Sequence, residues 1–190
     1  MFATHQPIIA AYAQQNAENL FRVLEFVQCT IQQHFYRMPA ILRERDITGT
    51  SRSLSTRQNE AIAFYWAKRK DIFTELMGAT LDNERMLILT DLPGFGMVKA
   101  GFVCQLVFGT VGCLDTHNIK LYGVPPSTLQ LRGTPRAQLK RITAYIELCN
   151  TLGCEKLWDT WCDFVGAKYP AKFHGGFDVS ALHIACIIRH

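Results

Sequence analysis

The stretch LPGFGMVKAGFVCQLVFGTVGCLDTHN, Leu92 to Asn118, decides how the rest of the chain is read. Gly94 and Gly96 stand two apart in a short turn, where glycine admits backbone angles closed to other residues and lets a bulky ligand reach the main chain. A helix starting at Met97 or Val98 aims its free N–H groups at that turn, and its dipole favours an anion there, such as a DNA phosphate. Such a contact positions DNA without reading its sequence. Leu92 to Gly96 alone serves equally as a tight helix-to-helix connection. Asp115 opens the next helix: its carboxylate is a good N-cap for the amides two or three residues on.

Helical periodicity extends outward in both directions. Leu20, Leu24, Val27 and Ile31 lay one apolar stripe along a helix beginning near Asn16. Residues 37–57 carry Arg37, Arg43, Arg45, Arg52 and Arg57 among Ser, Thr and Gly, and read as a basic polar connection. Ile62, Trp66, Phe73 and Met77 restore a helical face that Gly78 ends, with Lys68 to Lys70 on the other side. Asp82 to Thr90 reads as a short helix with Met86 and Leu89 inward, and Met97 to Phe108 as the helix after the double-glycine turn. Thr134 and Pro135 supply a cap and a first-turn proline for a helix carrying Leu139, Ile142, Ile146 and Cys149. Leu157, Trp158, Trp161 and Val165 mark another, and Asp178 caps a last one with Val179, Leu182 and Ala185. No strand pattern competes, and the turn from Gly123 to Thr128 is the best candidate boundary.

The 190 residues can bury one sizeable core or two small lobes sharing a cleft, and a hydrophobic content of 48% belongs to an ordinary globular protein. A net charge of +4 permits nucleic-acid binding without demanding it. Seven cysteines, several inside apolar helical patterns, fit a reducing interior. The N-terminal residues lack the pattern of a secretion signal, and the apolar run from Gly101 to Leu114 is too short to span a bilayer. A soluble, cytoplasmic protein without a membrane partner is expected.

Leu92-Pro93-Gly94-x-Gly96, followed after an apolar helix by Leu114-Asp115-Thr116-His117, resembles the hairpin and catalytic-aspartate segment of the helix-hairpin-helix DNA glycosylases of the endonuclease III and adenine glycosylase type. The resemblance is clear from Asp82 to Tyr122, weaker from Asn16 to Met77, and nearly absent after Gly123. It implies an all-α, two-lobed fold, with residues 16–122 forming the lobe of hairpin and aspartate, and residues 1–15 with 123–190 the second. It further implies a monomer binding double-stranded DNA, the hairpin at Gly94, Gly96, Val98 and Lys99 on a backbone phosphate, and Asp115 facing a flipped-out nucleotide. Val27-Gln28-Cys29-Thr30 is similar to the segment where such enzymes place a glutamine that fills the gap left by the flipped base, which gives Gln28 a DNA-binding role; a glutamine on a helix edge is otherwise solvated.

Two departures shape the expected activity. The bifunctional relatives attack the sugar with a lysine just after the hairpin; that position here is Val98, and Lys99 lies one residue on, about 100° around the helix. Lys99 then meets a phosphate or solvent, and the enzyme is monofunctional. Some relatives hold an iron–sulfur cluster on four C-terminal cysteines, but the spacing of Cys149, Cys154, Cys162 and Cys186 does not match, so no metal and no cofactor are expected. His174 and His183 read as structural, Trp158, Trp161 and Phe164 as core, and the Gly175–Gly176 pair before Asp178 as a close approach of backbone to a ligand. The leading expectation is a hydrolase of base excision repair, cleaving the N-glycosidic bond of a modified, damaged or mispaired base. A transferase elaborating thymine in viral DNA and a non-catalytic DNA-binding module, with Asp115 only a cap, are the alternatives.

Overall fold

Asn16 starts the helix around which the others pack: its side chain accepts from the Asn19 amide at 2.9 Å, a cap of about 1 kcal/mol. The computed structural model describes residues 1–30, 33–168 and 178–189, and among these it contains eleven α-helices and no strand. They run as α1 (Phe2–Ala13), α2 (Ala17–Cys29), α3 (Met38–Thr48), α4 (Thr56–Ala67), α5 (Arg69–Gly78), α6 (Asp82–Thr90), α7 (Met97–Phe108), α8 (Thr116–Leu121), α9 (Pro135–Leu152), α10 (Cys154–Lys168) and α11 (Val179–Ile187). The all-α class expected from periodicity is what the chain forms. Ile31, His174 and the Gly175–Gly176 pair lie outside the described residues.

Helix α2 touches α1, α3, α4, α5, α7 and α11, and is accordingly buried on most of its surface rather than along one stripe. That burial encloses Glu25, which is compensated by charge: Arg45 Nε lies 2.7 Å from one carboxylate oxygen, and Arg189 bonds the other. Arg189 also reaches Asp46 at 2.7 Å. Removing one member of such a buried cluster leaves an unpaired charge and costs about 3–5 kcal/mol, so this network clamps the C-terminal residues to α2 and α3.

Arg45 corrects the reading of residues 37–57 as a connection. Most of that span is α3, whose buried residues Met38, Ile41, Leu42 and Arg45 fall at helical spacing. Pro39 in the first turn and Gly49 at φ +76 supply its start and stop. Charge at the last inward position hid the period. Gln58 to Met77 is likewise two helices rather than one, broken at Lys68. Trp66 is 47% exposed, and Ala61, Ile62, Tyr65, Ile72 and Leu76 are the buried residues. Leu139 and Ala185 also face outward, against expectation.

The boundaries of α6 and α7 match the sequence reading, and Met86 and Leu89 are buried as expected. The chain from α7 to Asp115 is held by close packing. A Cβ on Gly101 would stand 2.4 Å from the Gly112 carbonyl oxygen, so only glycine lets α7 approach that loop. Tyr145 Oη of α9 donates to the same carbonyl at 2.8 Å and accepts from the Leu114 amide at 3.1 Å. Between them Val111 is fully buried at φ +59, a conformation that costs a β-branched residue about 1–3 kcal/mol. The hairpin helix and Asp115 are therefore fixed relative to one another.

All seven cysteines are free thiols. Burial pushes Cys29, Cys149, Cys154 and Cys186 up to about 12, so they pack as small hydrophobes. No group of metal-ligating side chains occurs among the described residues, and no helix among them is long and apolar enough to cross a membrane.

Candidate functional site

The hairpin is braced from beneath. Tyr65, fully buried on α4, places its hydroxyl against the Pro93 carbonyl and 3.3 Å from Gln28 Oε1. Phe95 packs edge-on against the Tyr65 ring, centroids 5.5 Å apart. Gln28 is only 2% exposed, so it is no solvated helix-edge residue. In this conformation its side chain lies under Gly94, and filling a gap in DNA requires it to leave its partners.

The two hairpin glycines differ. Gly94 takes φ +77, and a Cβ there would come within 2.9 Å of Gln28 Nε2. Gly96 is extended at φ −119, an angle any residue adopts, so the expectation that it needs glycine's freedom is corrected. A Cβ on Gly96 would meet open space. Gly96 is the N-cap of α7 and offers no side chain to cap it, which leaves first-turn amides of a twelve-residue helix for another acceptor.

Lys99 also departs from expectation. Its amine turns back beneath the hairpin, donating to the Gly94 carbonyl and to Gln28 Oε1 at 3.3 Å. Burial lowers it to about 8. Lys99 borders two cavities at once: one of about 570 Å³ beside Gln28, Arg57 and Phe64, and one of about 360 Å³ beside Asp115.

The second of these brings the predicted residues together. Val98, Lys99, Phe102, Asp115, Trp158 and Trp161 all line it, so the start of the hairpin helix and the aspartate share one space. Asp115 caps α8 through the Asn118 amide at 2.8 Å. Its acidity is set mainly by burial, which raises it above the ordinary aspartate range; the Asn118 amide, His117 and the Trp161 indole oppose that shift. A carboxylate raised by desolvation in a cavity is an active-site signature. His117 stacks on Phe164, ring centroids 3.7 Å apart.

Of the aromatic residues read as core, Trp158 is buried, Trp161 lines the cavity and Phe164 is 37% exposed. His183 is structural, as expected: its Nδ1 pairs with the Val179 carbonyl at 2.9 Å, and its ring sits among Phe26, Phe35, Phe102, Trp158 and Trp161. Two residues of the site escaped the sequence reading. Tyr65 gave a partial signal, since it lies in a helical stretch of mixed polarity. Asn118 gave none, because an asparagine after an N-cap is ordinary.

No protein-family model, curated protein or solved structure matches the chain. The site is therefore read from its own chemistry and from the motif order in the sequence.

Proposed function

We propose that this chain is a monofunctional DNA glycosylase with a helix-hairpin-helix, two-lobed architecture. It binds double-stranded DNA as a monomer, with the hairpin at Gly94 to Lys99 on a backbone phosphate. It hydrolyses the N-glycosidic bond of a base turned out of the stack. The observation that carries this reading is that Asp115 and the first turn of α7 line one aromatic-walled cavity of about 360 Å³, within the range of small-molecule sites.

Each part has a physical task. A base inside a duplex must unstack before its glycosidic bond is reached, at a cost of a few kcal/mol that is least for damaged or mispaired bases. Trp158, Trp161 and Phe102 offer apolar ring faces to receive it. As the bond breaks, positive charge develops on the sugar, and the Asp115 carboxylate opposes it or aligns the attacking water. The uncapped amides of α7 suit a phosphate.

Mass spectrometry of DNA after incubation, over a panel of modified and mismatched duplexes, tests the reading. Free base is expected. An intact nucleoside of altered mass would replace excision by base modification, the transferase alternative, and unchanged DNA that is nevertheless bound would leave a binding module.

A further inference from the structure

The cavity beside Asp115 contains a polar atom without a partner. Asn118 is fully buried, and its side-chain nitrogen donates to the Cys113 carbonyl at 2.8 Å and the Leu157 carbonyl at 3.3 Å. Those two acceptors fix the amide's orientation, because the flipped amide would set its oxygen against two carbonyl oxygens. Asn118 Oδ1 is thereby a committed acceptor, and among the described residues nothing donates to it. Buried polar atoms are almost always paired, so an orphan on a cavity wall marks where a ligand group belongs.

The neighbouring polar groups define what that ligand carries. Gln105 is engaged at both ends, donating to Cys154 O at 2.8 Å and accepting from the Cys113 amide at 3.3 Å. Thr30 gives its hydroxyl proton to Val27 O at 2.7 Å. The Trp161 indole is spent on Asp115. Protons on these groups are used internally while Asn118 Oδ1 stands open, between the ring faces of Phe102, Trp158 and Trp161.

We infer that the cavity selects a planar heterocyclic base by an N–H donor on its edge, received by Asn118 Oδ1. This rests on the reading of the cavity as the seat of a flipped base, and it assigns Asn118 as a specificity-determining residue. A ring N–H of the thymine or uracil kind and an exocyclic amino group of the adenine or cytosine kind share this chemistry. A base with neither would leave the acceptor buried and unpaired, the situation that discriminates most strongly between ligands of equal shape.

Calorimetric titration of the intact protein with free bases tests this without any DNA reaction. The probes are thymine against 3-methylthymine, and adenine against N6,N6-dimethyladenine. The N–H-bearing member of at least one pair is expected to bind at least about tenfold more tightly than its methylated partner, and the pair that shows this identifies the donor. Asn118→Leu is expected to abolish that difference by weakening only the N–H-bearing base. The wild-type comparison stands even if the variant does not fold. Equal binding within both pairs, or no binding of any probe, overturns the assignment. Base release from duplex DNA alongside equal binding would leave the glycosylase reading standing while removing Asn118 recognition; N–H discrimination without release from any duplex would do the reverse.

Discussion

The Lys99 amine and the Gln28 side-chain oxygen, 3.3 Å apart, join the hairpin helix to the helix at the centre of the molecule. Lys99 binds the Gly94 carbonyl as well, so the turn, α2 and the start of α7 form one braced unit. The brace presents the outer side of the hairpin to solvent in a fixed shape. Its two glycines therefore have separable roles.

Gly94→Ala is expected to destabilise the fold by about 1–2 kcal/mol, because alanine disfavours positive φ and its Cβ would press on Gln28 Nε2. Gly96→Ala, in extended backbone with open space around it, should leave the thermal midpoint nearly unchanged. A bulky residue at Gly96 should weaken binding to all duplexes about equally, since phosphate contacts carry little base information. Melting curves and binding isotherms on two unrelated duplexes check both statements. A loss confined to one base substrate would move Gly96 from the phosphate to the pocket.

Asp115→Asn keeps an oxygen for the α8 cap but removes the charge. Base release is expected to fall about a hundredfold or more, with duplex binding within a few-fold of wild type. The wild-type rate should also fall on acidification at a higher pH than an exposed aspartate would give, since burial raises Asp115 and its ionised form is the active one. Single-turnover rates across pH read both effects. Near-full activity in a folded Asp115→Asn protein would reduce Asp115 to a structural cap.

The helices that frame the site were legible because their ends carry local chemistry. Asn16, Thr134, Asp115 and Asp178 each cap where sequence placed them, and the hairpin lies between helices with the expected bounds. What escaped depended on distant partners. Arg45 reads as loop charge until Glu25, twenty residues earlier, is brought against it. Lys99 reads as a solvent-facing lysine until the hairpin folds back over Gln28. Asn118 becomes informative only when Cys113 and Leu157 take its nitrogen and leave its oxygen exposed to the cavity.

His183 makes a prediction about stability. Its burial among aromatic rings holds it down to about 3, well below the unfolded value of about 6.5. His5 lowers it further, whereas the Val179 carbonyl and Asp178 act in the opposite sense. Between those values the unfolded chain takes a proton that the folded chain refuses, so stability falls as pH drops from about 6.5 toward 3, by on the order of a few kcal/mol. Urea midpoints measured across that range should decline in wild type. They should decline less in His183→Leu, whatever the variant's stability at neutral pH. Parallel curves would assign the acid sensitivity to other groups.

The amine of Lys99 bears on the strand-cleavage question most directly. It borders the same cavity as Asp115, and with its acidity shifted to about 8 roughly half of it is neutral at pH 8, so protonation is no barrier to attack on a sugar. What argues against attack is position: the amine is held by Gly94 O and Gln28 Oε1, and the residue that the family resemblance sets at the nucleophile's place is Val98. Base release should therefore leave an abasic site in an unbroken strand, and borohydride should trap no covalent complex even at pH 8 to 9. Because the neutral amine is abundant there, a negative result reports geometry rather than charge. Efficient trapping that disappears in Lys99→Met, with Asp115 intact, would mean that DNA binding draws the lysine from beneath the hairpin and that the enzyme cuts the strand as well as releasing the base.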